Sequence, residues 1–245
     1  MRNVIVTGAS RGLGLAIASA LVARGYRVIG IARSDSEEFR AAAASLAQLP
    51  QAGELRLERF DLGEIRGIAA LVSALRKQYG ALYGLVNNAG IGTAGVLSNM
   101  RLEDIETLTR INMTAPIVLC KYALRSMMLE RSGRIVNIAS IVAARGYSGL
   151  SVYAATKAAL IGLTRSLARE VGQLDITVNA VSPGFIATAM TAQSVASLRE
   201  KIAHRSALRR MADPADVAAA VSFLLSEEAR NITGTTLTVD AGGTA

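Results

Sequence analysis

Tyr153 and Lys157 stand four residues apart in Ser151-Val152-Tyr153-Ala154-Ala155-Thr156-Lys157, and a helix carries such a pair on one face. A free phenol titrates near pH ~10, and an ammonium held beside it favours the charged form. The spacing therefore predicts a Tyr153 whose pKa is lowered by Lys157, an acid-base group able to pass a proton near neutral pH. The same spacing suits an ordinary surface pair, so the elements that position it decide between the two.

Residues 2–7 are a short apolar run bounded by glycine, which predicts a strand buried on both faces as in a parallel sheet. Thr7-Gly8-Ala9-Ser10-Arg11-Gly12-Leu13-Gly14 follows and opens a helix to about residue 24. Glycines there let the backbone turn tightly and approach a pyrophosphate, while the helix start supplies free N–H groups and a positive dipole end. The spacing is Gly-x-x-x-Gly-x-Gly, which departs from the commoner Gly-x-Gly-x-x-Gly dinucleotide pattern. Residues 26–32 read as the second strand, with Arg33 just beyond it, where an acidic residue would suit the ribose 2′-hydroxyl of NAD and an arginine the 2′-phosphate of NADP. Arg11 could reach the same phosphate, so the pair predicts NADP(H); two solvated surface arginines are the competing reading.

The alternation continues: helix 36–48, strand 55–60 ending in Asp61-Leu62, helix 64–79, strand 82–86 ending in Asn87-Asn88-Ala89-Gly90. A long amphipathic segment, 102–130, holds Asn112 in its apolar pattern, and strand 133–140 ends on Ser140, thirteen residues before Tyr153. Strands 176–181 and 235–239 complete the set, with Asp213-Pro214 as a helix start. Residues 189–210 show no strand pattern and read as a mobile lid over the site. This rhythm predicts an α/β fold, one Rossmann-type domain over residues 1–245. About seven parallel strands form a doubly wound sheet with helices on both faces, and ligands bind outside the strand C-termini.

At 245 residues and 51% hydrophobic content the chain can bury a large core. Its net charge of +8 is scattered and comes without aromatic interleaving, there being four Phe, six Tyr and no Trp, which argues against nucleic-acid binding. A single cysteine, Cys120, excludes an internal disulfide and fits a reducing compartment. The N-terminal stretch has no apolar segment of signal-peptide or membrane-span length, so a cytoplasmic protein without membrane contact is expected.

Taken in order, residues 7–14, residues 87–90, Asn112, Ser140, Tyr153-x-x-x-Lys157 and Pro183-Gly184 resemble the short-chain dehydrogenase/reductase family over nearly the whole chain. Residues 166–171 and Pro183-Gly184-Phe185-Ile186-Ala187-Thr188 make it most similar to the bacterial 3-oxoacyl-acyl-carrier-protein reductases. The resemblance implies a catalytic set of Asn112, Ser140, Tyr153 and Lys157. Tyr153 would protonate the carbonyl oxygen as hydride arrives, and Lys157 would lower the Tyr153 pKa and hold the nicotinamide ribose. Ser140 would donate to the carbonyl, and Asn112 would position a water that resupplies protons. It further implies cofactor contacts from Gly8, Ser10, Arg11, Gly12, Leu13, Gly14, Arg33, Asp61, Leu62, Asn88, Ala89, Gly90, Tyr153, Lys157 and Ile186. A homotetramer is implied too. Arg131 keeps one basic position for docking an acidic carrier, whereas Leu174 stands where the other is usual, and the C-terminal tail is shorter than usual. Three functions follow: NADPH-dependent reduction of a 3-oxoacyl thioester, dehydrogenation of a free secondary alcohol such as a sugar or cyclic alcohol, or non-catalytic NADP-binding regulation. The intact catalytic set argues against the third.

Overall fold

The computed structural model describes residues 1–92, 95–186 and 196–245. Strands β1 (Asn3–Thr7), β2 (Arg27–Ala32), β3 (Glu54–Arg59), β4 (Leu82–Asn87), β5 (Gly133–Ile138), β6 (Ile176–Pro183) and β7 (Thr236–Val239) form one sheet in the order β3-β2-β1-β4-β5-β6-β7. All six pairings are parallel. The helices are α1 (Gly12–Ala23), α2 (Glu37–Leu46), α3 (Ile68–Tyr79), α4 (Leu102–Thr109), α5 (Ala115–Glu130), α6 (Ser151–Val171), α7 (Ala196–Arg205) and α8 (Pro214–Leu225) among the described residues.

Side chains alternate across a strand, and β1 shows the result. Val4 and Val6 join α1 and α8 in one core, while Ile5 joins α3, α5 and α6 in the other. Both faces of the sheet are thus covered, which is why the inner strands read as near-continuous apolar runs, whereas the edge strands β3 and β7 alternate. Strand order reverses between β1 and β4, so the crevice that α/β sheets use for ligands lies outside the ends of these two strands. Local signals hold as well. The Ser36 hydroxyl accepts from Phe39 N at 3.0 Å to start α2, and Asp213 N donates to Asp216 at 2.9 Å at the start of α8.

Three segments differ from the sequence expectations. The segment 102–130 is not one helix: α4 and α5 are joined by a π-helical turn, Arg110–Thr114, that contains Asn112. Pro116 explains the break, because it has no N–H to offer the Asn112 carbonyl four residues earlier and its ring crowds that carbonyl. Strand β5 ends at Ile138, and Ser140 instead caps a 3₁₀ turn, Ile141–Ala143, accepting from Val142 N at 3.4 Å. Within the expected lid, residues 196–205 are α7; residues 189–195, and Ala187 and Thr188 of the motif after β6, lie outside the described residues.

Candidate active site

The glycine turn at the end of β1 has the geometry of an anion cradle. Gly12 takes a φ of +56°, and a Cβ there would meet nothing within 4 Å, so the backbone lies open to an approaching group. Gly14 must be glycine for a different reason: its Cβ would fall 2.1 Å from the Gly8 carbonyl oxygen. The N-cap of α1, Arg11, is extended and caps with no side-chain hydrogen bond, which leaves the first N–H groups and the dipole of a 12-residue helix facing this turn. Thr7, which the motif reading passed over, ties β1 to β4. Its Oγ1 accepts from Asn88 N and Ala89 N, both at 2.9 Å, and donates to Val86 O at 3.3 Å. Asn88 adds a bond from Nδ2 to Thr7 O at 2.8 Å. Its amide therefore holds the two strand ends together rather than standing free toward a ligand.

At the far end of the cradle, Arg33 and Arg11 are exposed and form no ion pair among the described residues. The nearest carboxylate in sequence, Asp35, is engaged by Arg40 at 3.0 Å and by Ser36 N at 2.8 Å. Ser36 also donates to Ser10 O and so fixes the glycine turn against α2. Asp61 turns its carboxylate to Gly63 N at 2.8 Å, Leu62 packs into the core beneath α3, and Ile186 is buried against the α1 and α8 side beside Ala212.

Asn112, Ser140, Tyr153, Lys157 and Gly90 come together from four elements. Asn112 is fully buried, and its amide grips the backbone of Ile91 on both sides, accepting from its N at 2.9 Å and donating to its O at 2.8 Å. A second donation, to Thr156 Oγ1 at 3.3 Å, attaches the π turn to α6. A Cβ on Gly90 would lie 3.3 Å from Asn112 Oδ1 and 3.4 Å from Lys157 Nζ, which places the two polar heads around that glycine. Lys157 is 3% exposed and donates to Ile138 O at 2.8 Å, just past the point where β5 ends.

The expected lowering of the Tyr153 pKa by Lys157 is not what this geometry does. Nζ lies 5.7 Å from the Tyr153 ring centre and is turned to Ile138. Burial pushes the Tyr153 phenol up, and a hydrogen bond from Ser140 pulls it back down in part. The lysine itself is displaced further: burial drives its ammonium down to about 8. An ammonium has three donors, and a buried one is costly unless it is well partnered. Ribose hydroxyls are the acceptors that would suit the other two. With the cradle at the α1 start and two exposed arginines at its end, the residues present fit NADP(H). The docking residues are elsewhere. Arg131 precedes β5 and Leu174 precedes β6, at the edge of the sheet opposite Tyr153. Arg131 donates to Gln173 O at 3.2 Å, and Leu174 packs against the core, which is why an apolar residue stands there.

A family model described as enoyl-(acyl carrier protein) reductase matches residues 8–244. The chain is 41% identical over 239 residues to a 3-oxoacyl-[acyl-carrier-protein] reductase of Vibrio harveyi, covering 97% of this chain and 95% of the relative. It is 41% identical over 238 residues to the protein of that name in Escherichia coli K12 and 40% identical over 238 residues to that of Pseudomonas aeruginosa, with the same coverage of both chains. Nearly full-length similarity at this level, with the cradle and the Ser140, Tyr153 and Lys157 cluster on one sheet edge, identifies the chain as an enzyme of the short-chain dehydrogenase/reductase family, an oxidoreductase of C=O and CH–OH groups.

Proposed function

We propose that the protein reduces a 3-oxoacyl thioester to the 3-hydroxyacyl thioester with NADPH. The observation that carries this reading is the pairing of the Ser140 and Tyr153 hydroxyls beside the buried Lys157 ammonium, on the strand edge that also bears the cradle. When bound, the nicotinamide would supply a hydride to the carbonyl carbon. The chain's part is to serve the oxygen: Ser140 donates to it, and Tyr153, kept protonated by burial, passes its proton there. Lys157 would hold the ribose, and Asn112 holds the Ile91 backbone and the π turn in place around it. Arg33 and Arg11 select the 2′-phosphate. Two hydroxyls set for one oxygen suit a carbonyl better than the carbon–carbon double bond of an enoyl thioester.

The relatives' names support an acyl-carrier-linked substrate. Leu174, turned into the core, favours the second reading, dehydrogenation of a free secondary alcohol, because it leaves Arg131 as the lone docking cation. A homotetramer fits the apolar side chains left exposed on α5, Ile117, Met128 and Leu129, on β7, Leu237, and on α8, Phe223. No helix among the described residues is long and apolar enough to cross a membrane. The deciding experiment follows NADPH oxidation with a short 3-oxoacyl thioester, the matching enoyl thioester and a panel of free ketones. Turnover highest on the first is expected; turnover on free ketones alone selects the second reading, and turnover on the enoyl thioester alone overturns the carbonyl assignment.

A further inference from the structure

Residues 240–244 fold into a compact turn built on one carboxylate. Asp240 Oδ1 accepts from Gly242 N at 2.9 Å, Oδ2 accepts from Thr244 Oγ1 at 2.7 Å, and its backbone oxygen accepts from Gly243 N at 3.1 Å. Ala241 and Gly242 both adopt positive φ, 56° and 75°, within this turn. These ties present three successive backbone carbonyls as acceptors. Ala241 O accepts from Leu208 N at 3.0 Å, Gly242 O from Ala207 N at 3.3 Å, and Gly243 O from the Arg145 guanidinium at 3.2 Å. Ala207 and Leu208 follow α7, and Arg145 lies in the loop between Ser140 and Tyr153.

The other side of Asp240 is packed against the turn after β6. A Cβ on Gly184 would fall 2.7 Å from Asp240 Cβ, and Gly184 N donates to Val239 O at 2.9 Å. The next residue, Phe185, meets Tyr147 edge to face, with ring centres 6.0 Å apart. Tyr147 belongs to the same loop as Arg145. The contacts therefore close a circuit from Tyr147 through Phe185, Gly184, Asp240 and Gly243 back to Arg145, which grips the loop between Ser140 and Tyr153 at two points.

We propose that Asp240 is a positioning residue for the substrate side of the site. By shaping the C-terminal turn, it locks the loop between Ser140 and Tyr153 to the Pro183-Gly184-Phe185 turn and to the segment after α7. The cradle and Lys157 lie outside this circuit, so the carboxylate acts chiefly on the carbonyl substrate, with Ile186, after Phe185, the implied nucleotide contact that adjoins it. This inference rests on the carbonyl-reductase reading above.

Asp240→Asn keeps the size but leaves one acceptor where there were two, and Thr244→Val removes the matching donor while Thr244→Ser retains it. Hydrogen bonds to a charged group support an expected rise of ~10-fold in KM for the 3-oxoacyl thioester in Asp240→Asn. The kcat and the NADPH Kd should stay within about twofold, and amide exchange should quicken at residues 207, 208 and 141–150. Thr244→Val should shift KM in the same direction and Thr244→Ser should restore it. An unchanged KM, or KM and NADPH Kd rising together, overturns the proposal; if Asp240→Asn does not fold, the Thr244 pair carries the test. Should the wild type turn over no 3-oxoacyl thioester, the functional reading fails, and amide exchange alone then decides the brace: faster exchange in both segments supports it, and no change overturns it.

Discussion

At the N-terminal edge of the sheet, Tyr83 lies between two cations, Arg2 at 4.2 Å and Arg134 at 5.6 Å from its ring centre, and stacks on Tyr26 at 6.0 Å. Both arginines reach Glu227, at 2.6 Å and 3.5 Å, and the Tyr83 hydroxyl donates to Leu225 O at 2.9 Å. At the C-terminal edge, Lys157 is as deeply buried as Arg134, yet among the described residues it forms no ion pair, and it donates to the Ile138 carbonyl. Burial raises the Tyr83 phenol to about 12, where it stays neutral beside its cations, and lowers Lys157 to about 8. One edge uses charge to close itself; the other keeps a charge incompletely partnered so that a ligand can complete it. Substitutions at the two edges should accordingly separate stability from turnover.

The largest effect belongs to Tyr153→Phe, which deletes the proposed proton donor and keeps the ring. The kcat should fall by ~10²–10⁴-fold, while NADPH affinity and the unfolding midpoint stay near wild type. Steady-state kinetics beside a urea titration make the check, and a variant retaining more than about a tenth of wild-type kcat removes Tyr153 from the chemistry.

Tyr83→Ala should do the reverse. Truncating a buried aromatic costs ~3–5 kcal/mol, here with the loss of the bond to Leu225 O and of the surface between Arg2 and Arg134. The unfolding midpoint should drop by ~2–4 °C per kcal/mol in a chain of this size, with kcat and KM of the surviving folded protein nearly unchanged. A loss of kcat larger than the loss of stability would show that the two edges are coupled.

The sequence made the first of these edges hard to see and the second easy. Tyr153 and Lys157 carry their spacing in the chain, and Gly8, Gly12 and Gly14 mark a turn that few other residues can make, so the sheet edge and its cradle were legible. Tyr83, Arg2, Arg134 and Glu227 are scattered over more than two hundred positions, and the pairing of β1 with β4 and of β4 with β5, together with the turn after α8, gathers them. The place of Asn112 in an apolar pattern marks a buried amide, and the π turn that aims it at Ile91 follows from Pro116. The turn of Lys157 toward Ile138 and of Leu174 into the core depends on side-chain packing that no periodicity encodes. Thr7, the bracket between β1 and β4, had only its place beside Gly8 to mark it.

Within the cradle, Arg33 and Arg11 repeat the logic of the incomplete edge, being cations without an ion pair among the described residues. Arg33→Asp should narrow or invert the preference for NADPH over NADH, since a charge-assisted bond to the 2′-phosphate is worth ~1.5–3 kcal/mol, about 10- to 150-fold in affinity. Fluorescence titration with both nucleotides reads the ratio. Equal binding of the two by the wild type, or an unchanged ratio in the variant, would reduce Arg33 to a surface residue.

The smallest effect sharpens the comparison from the side of Lys157 and appears only against pH. Its folded pKa lies near 8, below the ordinary lysine value of 10.5, so between these limits the unfolded chain holds a proton that the folded one has released. Stability then rises with pH through this window, and the destabilising contribution of the buried ammonium is fully present below it. Lys157→Met removes that slope, whatever constant change it makes by leaving Ile138 O without its donor. The wild type should therefore gain roughly 1–2 kcal/mol on the variant between pH ~7.5 and ~9.5, read as the difference of urea unfolding free energies at the two pH values. Saturating NADPH should flatten the Lys157 slope, because ribose hydroxyls accepting from Nζ stabilise its charged form in the folded state. A parallel pH course for wild type and Lys157→Met without nucleotide would place Lys157 among the satisfied groups and remove the contrast between the two edges.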